Sequence, residues 1–181
     1  MFSLTNKVAL VTGATGGIGA AIARQLHRQG ATVVLSGTRE SVLAERAAEL
    51  GGERVHVVAA DLSDPAAAEQ LVARAEEVAG APLDILVNNA GLTRDTLAIR
   101  MKDEDWSKVM EVDLASPFRL CRTALKGMLR RRAGRIVHIA SVVGATGHAG
   151  QANYSAAKAG LVGIAKSMAP EAGSAGVRLD F

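Results

Sequence analysis

Cysteine is almost missing from this 181-residue chain. Cys121 stands alone, which excludes an internal disulfide and suits a reducing compartment. Nothing around it favours a thiolate, so a small core residue is expected. Aromatic residues reach only 3%, too few for the base-stacking platforms of single-stranded nucleic-acid binders. The net charge is only +3, and the basic residues are scattered apart from Arg130, Arg131 and Arg132 with Lys126 nearby. No nucleic-acid partner is expected on this balance. Four scattered histidines and one cysteine give no ligand spacing, so no metal is expected. No run reaches the roughly 18 apolar residues of a membrane span, and the start lacks a basic region followed by an apolar one. The expectation is a cytoplasmic protein with no membrane partner.

Against these absences stand 49% apolar and 22% charged residues, ordinary globular proportions in a length that suffices for one domain. Short β-branched runs at Val8–Val11 and residues 32–35, 55–58, 85–87 and 136–139 are apolar without strict alternation, as parallel strands covered on both faces require. Alanine-rich segments between them carry helical spacing: Ile18, Ile22 and Leu26; Leu71, Val72, Ala75 and Val78; Ala157, Leu161, Ala165 and Met168. Asp64 before Pro65 reads as an N-cap and first helical position. This alternation predicts an α/β fold with right-handed crossovers, a Rossmann-like doubly wound parallel sheet in three α/β/α layers. Residues 1–181 read as one dinucleotide-binding domain without repeat or linker.

The first strand runs into Thr12-Gly13-Ala14-Thr15-Gly16-Gly17-Ile18-Gly19 and then a helix. Glycines let the backbone turn tightly and approach a pyrophosphate, and the helix start offers unpaired amides at the positive end of its dipole. Within a βαβ unit this reads as a dinucleotide site using Gly13, Thr15, Gly17, Ile18 and Gly19. Gly13-x-x-x-Gly17-x-Gly19 resembles short-chain reductases, whereas Gly13-x-x-Gly16-x-x-Gly19 resembles their extended, epimerase-like relatives; the loop alone fits both. The second strand ends in Ser36-Gly37-Thr38-Arg39, with no acid before Glu40. An acid there would bind the ribose 2′-hydroxyl of NAD and repel a 2′-phosphate. Arg39 can instead pair with that phosphate and Thr38 donate to it, so NADP(H) is the expected cofactor. The plainer reading of Arg39 is the solvated start of a helix. Asp61-Leu62 follows the third strand, where a carboxylate can accept the adenine amino group; taken alone, Asp61 reads equally as a helix cap.

Asn88-Asn89-Ala90-Gly91 follows the fourth strand, at the carboxyl edge where such sheets bind ligands; Asn88, Ala90 and Gly91 are candidate cofactor contacts. Ser141 follows the fifth strand. Tyr154 and Lys158 are four apart and share one helix face, where an ammonium near a phenol favours phenolate and brings proton transfer toward neutral pH. A lone Tyr-x-x-x-Lys is common by chance. Ser141 thirteen residues earlier, behind a nucleotide loop, makes the combination specific.

This set resembles the short-chain dehydrogenase/reductase family. Gly91-Leu92-Thr93-Arg94-Asp95, Met101 to Trp106, Ser141-Val142-Val143-Gly144 and Gly150-Gln151-Ala152-Asn153-Tyr154 are more specific, resembling the family's bacterial 3-oxoacyl-acyl-carrier-protein reductases over residues 5 to about 167. The resemblance implies hydride transfer from NADPH to the 3-keto carbon of an acyl thioester, as in fatty acid synthesis. It makes Tyr154 the proton donor, Ser141 the group that orients the carbonyl, and Lys158 the group that holds the ribose and tunes Tyr154. It also implies a homo-oligomer and an acidic acyl carrier protein as substrate carrier. Lys126 and Arg130 to Arg132 would dock that carrier or, equally, form a solvated helix end.

The chain departs from the resembled pattern in three places. Gly16 stands where many NADP-dependent members carry a basic residue. Asp113 stands where the family has a catalytic asparagine; it either holds the same relay water or pairs with Lys158 and disturbs its tuning, so reduced activity is expected. Pro170 costs about 3 kcal/mol in a helix interior, Gly173, Ser174 and Gly176 weaken the same segment further, and residues 177–181 begin a sixth strand. The family's loop against the nicotinamide, substrate lobe and last strand are not matched, so a C-terminally truncated reductase is expected. A catalytically impaired nucleotide-binding protein, an enzyme for another ketone or alcohol, and an interaction module built on its dimer-forming helices are the alternatives.

Overall fold

The computed structural model describes residues 3–181. Strands β1 (Val8–Val11), β2 (Thr32–Gly37), β3 (Val55–Ala59), β4 (Ile85–Asn88), β5 (Gly134–His138) and β6 (Val177–Asp180) form one parallel sheet in the order β3-β2-β1-β4-β5-β6. Helices α1 (Gly17–Arg28), α2 (Glu40–Glu49), α3 (Pro65–Ala79), α4 (Asp103–Met110), α5 (Ser116–Arg131), α6 (Val143–Thr146) and α7 (Ala152–Gly173) connect them. The doubly wound three-layer fold read from the sequence is present.

The strands do not alternate in polarity because both faces are covered. In β1, Val8 and Leu10 join a core with residues of α3, α5 and α7, while Ala9 and Val11 join a second core with residues of α1 and α2. Leu10 lies opposite Val34 on one side and Leu86 on the other, so β1 sits at the centre of the sheet. Strand β5 begins two residues earlier than expected, because Arg135 already pairs with Ile85 and with Arg178 of β6.

Asp64 caps α3, its carboxylate accepting from the Ala66 amide at 2.9 Å, with Pro65 in the first turn. Ala157, Leu161, Ala165 and Met168 are all buried, as their spacing predicts; Ile18 and Val78, at the two ends of their stripes, are exposed. Helix α7 runs through Pro170 to Gly173 despite the cost of an interior proline. Met168 and Ala172 on either side are buried in the core, and tertiary packing offsets the missing amide.

Strands β1 and β4 are neighbours whose following helices leave toward opposite faces. Their carboxyl ends therefore part, and a crevice opens where doubly wound sheets take their ligands. Among the described residues no helix is long and apolar enough to cross a membrane, and no three His, Cys, Asp or Glu side chains group as metal ligands.

Candidate active site

The crevice is built from the glycine turn outward. A cavity of about 220 Å³ is lined by Thr12, Gly13, Thr15, Ser36 to Thr38, Ala60 to Leu62 and Ala90 to Leu92. A second, of about 370 Å³, shares Gly13, Thr15, Ala90 and Gly91 with it and adds Gly17, Ile18, Gly19, Arg39 and Asn89. Helix α1 starts here from Gly16 with no side chain capping its first amides and no acid in its first turn. Those amides and the dipole behind them are available to an anion, the condition a pyrophosphate requires.

Gly19 is fixed by space. A Cβ there would stand 2.4 Å from the Gly13 carbonyl oxygen and 2.6 Å from Asn89 Nδ2, whereas one at Gly17 would meet nothing within 4 Å. Gly19→Ala is therefore expected to cost about 1–3 kcal/mol of stability through overpacking and to weaken dinucleotide affinity, while Gly17→Ala leaves stability nearly unchanged. Urea denaturation and a dinucleotide titration of both variants check this contrast.

The Asn-Asn-Ala-Gly turn is tied to the end of β1 through the Asn89 side chain, as asparagines at this edge can do. Asn89 Nδ2 donates to the Thr12 and Gly13 carbonyls at 2.9 and 3.2 Å, and Thr12 Oγ1 accepts from the Asn89 and Ala90 amides at 3.0 Å each. The Asn88 side chain does not face the crevice, which leaves its backbone as the part that could contact a cofactor. The side chain is turned inward and buried, its Nδ2 lying 3.4 Å from both Cys121 Sγ and His138 Nδ1. The backbone alternates sides at the end of β4, so only one of the two asparagines can face the crevice.

At the second and third strand ends, Arg39 Nη2 approaches the Thr15 carbonyl at 3.5 Å, which brings its guanidinium to the crevice rim. Asp61 does not cap α3. It accepts from the amide and hydroxyl of Ser63 at 2.9 and 2.8 Å, and those bonds hold its carboxyl below the usual carboxylate range. Leu62 is anchored from behind, because Ser116 Oγ donates to its carbonyl at 2.6 Å.

The structure brings Ser141, Tyr154, Lys158 and Asp113 together. Tyr154 and Lys158 project from the first turns of α7, with the ammonium 5.4 Å from the phenol ring centre. Lys158 Nζ donates to the Ile139 carbonyl at 3.1 Å and stands 3.8 Å from Asp113 Oδ2. Asp113 is fully buried, and its Oδ1 accepts from the Leu92 amide at 2.8 Å. Burial pushes its carboxyl up to about 6, opposed by that amide and by the Lys158 charge.

A widened turn over Glu111–Ala115 places Asp113: the Ser116 amide bonds back to Glu111, five residues earlier. Pro117 has no N–H for the Asp113 carbonyl four residues before it, so the ordinary helical ladder is interrupted there.

One sequence expectation about this group is overturned. The Tyr154 phenol is raised above its usual value, not lowered, by burial first and by the charges of Asp113 and Asp95, with Ser141 opposing. Lys158 donates to the Ile139 carbonyl and lies beside the Asp113 carboxylate, which offsets its charge, so the pairing considered above is the one adopted.

The loop after β4 is tied to the start of α7. The Thr96 amide donates to the Gly150 carbonyl at 2.9 Å, buried Asn153 donates to the Arg94 carbonyl at 3.1 Å, and Gln151 Nε2 donates to Asp95 Oδ2 at 2.9 Å. Asn153 lies in the quoted run before Tyr154, but its positioning role has no signal in the sequence. The basic cluster is partly committed to the fold: Arg131 donates to the Leu83 carbonyl at 2.6 Å and Arg132 to the Ser174 carbonyl at 3.0 Å.

Sheet order, glycine turn and the Ser-Tyr-Lys group together define an oxidoreductase that uses a nicotinamide dinucleotide. The family profile described as short chain dehydrogenase matches residues 7–180, and the chain belongs to that family. Nodulation protein G of a Rhizobium species (strain N33) is 55% identical over 94% of this chain and 69% of its own length. The 3-oxoacyl-[acyl-carrier-protein] reductase FabG of Vibrio cholerae is 49% identical over 98% of this chain and 72% of its own. A crystal structure from Sinorhizobium meliloti 1021, assigned to the short-chain alcohol dehydrogenases, superposes with a TM-score of 0.93 at 32% identity, over 98% of this chain and 71% of its own.

Proposed function

We propose that the chain reduces a 3-oxoacyl thioester carried on acyl carrier protein, with NADPH as cofactor. The observation that carries this reading is the Ser141–Tyr154–Lys158 group, its lysine buried and its serine and tyrosine half-buried, beside Gly91 of a crevice whose glycine turn presents uncapped amides. Relatives named as reductases of this substrate class, such as that of Vibrio cholerae, align along nearly the whole chain. The relative named nodulation protein G leaves another ketone or alcohol as the second reading.

Gly13, Thr15, Gly17, Ile18 and Gly19 would hold the pyrophosphate, Asp61 and Leu62 the adenine, and Ala90 and Gly91 would let the ribose and nicotinamide approach. When bound, NADPH supplies the hydride that ends on the keto carbon. Ser141 orients the carbonyl, and Tyr154 gives its proton to the oxygen as the C=O π electrons move there. Lys158 would hold the ribose hydroxyls.

Arg39 selects the 2′-phosphate. Losing a charged hydrogen bond there costs about 1.5–3 kcal/mol, so Arg39→Ala is expected to raise KM for NADPH by roughly ten- to a hundredfold and leave KM for NADH nearly unchanged. Steady-state oxidation of both dinucleotides with a 3-oxoacyl carrier-protein substrate measures this. Equal losses for the two cofactors, or turnover of simple ketones in preference to the thioester, contradict the reading.

An oligomer of the chain is part of the same proposal. The groove between α5 and α7, about 660 Å³ and lined by Phe118, Leu125, Leu129, Ile164 and Met168, carries Arg122 and Lys126 on one wall and Glu171 on the other. Such a surface suits a second copy related by a two-fold axis. Arg130, exposed and outside that groove, is the cation proposed for docking the acidic carrier.

A further inference from the structure

We propose that Asp113 is a positioning residue whose buried negative charge keeps Tyr154 in its proton-bearing form, by neutralising the ammonium that would otherwise draw the phenol toward phenolate. The proposal rests on the reductase reading only for its use; the electrostatics stand on geometry. Asp113 is wholly buried, and its two oxygens are treated differently. Oδ1 is bonded to the Leu92 amide, whereas Oδ2 has no hydrogen-bond partner and points to Lys158 Nζ at 3.8 Å. Lys158 is itself buried and has one bond, to the Ile139 carbonyl. The Asp113 carboxylate beside this ammonium opposes its field at the ring, whose centre lies 5.4 Å from Nζ.

The pair has a roof that only glycine permits. A Cβ on Gly91 would stand 2.8 Å from Asp113 Oδ2 and 3.3 Å from Lys158 Nζ. Any larger residue would drive the two charges apart, so the crevice wall and the ion pair require the same residue.

The other groups facing this site are few. Asp95, from the loop after β4, adds a second negative charge near the phenol; Ser141, after β5, opposes it. His138, on β5, is kept neutral by burial and by the Lys158 charge, so it adds no cation. On the far side of the widened turn, Glu111 is paired with Arg119. A phenol beside a charge-compensated lysine stays protonated across the neutral range, the form from which a proton is given to a carbonyl oxygen. The resting site therefore holds the proton that carbonyl reduction consumes, whereas alcohol oxidation would start from the phenolate.

Tyr154 is the chain's only tyrosine, so phenolate absorbance reads this one group. An ultraviolet difference titration of the full chain, without substrate or turnover, should place the Tyr154 midpoint above the ordinary phenol range, and Asp113→Asn should move it to lower pH. An unchanged midpoint in the folded variant overturns the proposal. Should Asp113→Asn not fold, the unaltered chain gives the same test. The 13C shift of the tyrosine Cζ should step as Asp113 titrates, near pH 6, and no step there is the contrary result. Neither readout depends on the substrate. Absence of thioester reduction with these shifts present would thus sink the functional reading and leave this one standing.

Discussion

Tyr154→Phe is expected to lower thioester reduction by about 10²–10⁴-fold, the range a positioned proton donor contributes, while dinucleotide affinity stays near that of the parent. The substitution removes a single oxygen. The ring keeps its place on the first turn of α7, and Lys158 keeps its bond to the Ile139 carbonyl and its pairing with Asp113. The loss should therefore fall on kcat rather than on KM for the cofactor, since the missing hydroxyl acts in the transition state. Stopped-flow single turnover with pre-bound NADPH separates the two. A variant that reduces the substrate at parental rate would show that another group, or water, donates the proton.

The second large effect is expected away from the crevice, at His138. This ring is buried between Asn88, 3.4 Å from its Nδ1, and Cys121, 3.6 Å from its Nε2. Burial, helped by the Lys158 charge, depresses its pKa from 6.5 to about 4. A depressed folded-state value means that the unfolded chain binds the extra proton. Stability from neutral His138 is fully present above about pH 6.5 and is lost as pH falls toward about 4, some 3 kcal/mol in all.

Asp113 acts in the opposite sense over nearly the same window. Its carboxyl is raised from 3.8 to about 6, so its ionised form costs stability at neutral pH, and about 3 kcal/mol returns as pH falls through that interval. The two contributions mask each other in the parent chain. His138→Gln, which cannot take up a proton, should unmask the Asp113 gain. Between about pH 7 and pH 4, urea denaturation should show the variant gaining about 3 kcal/mol relative to the parent. A difference between the two proteins that is constant with pH would contradict this account. Cys121, in the same cluster, is pushed up to about 12 by burial, which makes it the small inert core residue the sequence suggested.

The fold was legible because parallel strands covered on both faces have a plain signature in apolar runs such as residues 32–35, and because Asp64-Pro65 and the glycine turn mark helix starts by local chemistry alone. The gathering of Ser141, Tyr154 and Lys158 was legible for the same reason: helix spacing and strand order place them at one edge. Three things were not legible. The widened turn at Asp113 depends on which carbonyl Pro117 leaves unpaired, a backbone consequence that residue spacing does not show. Which of Asn88 and Asn89 faces the crevice depends on strand register at one residue. The sign of the Tyr154 perturbation turns on whether the Lys158 ammonium is directed at the phenol or at a buried carboxylate 3.8 Å away, a tertiary contact between α7 and the turn before α5.

The most direct test of the central claim is transfer of label from the nicotinamide ring. The purified chain would be incubated with NADPH deuterated at the 4-position of that ring and a 3-oxoacyl carrier-protein substrate, and the product examined by mass spectrometry. The account predicts deuterium on carbon 3 of a 3-hydroxyacyl product, from only one of the two stereoisomers of the labelled cofactor, and no labelled product with Tyr154→Phe on the same timescale. A folded, NADPH-bound chain that leaves the thioester unreduced, or a product without deuterium at that carbon, would contradict it.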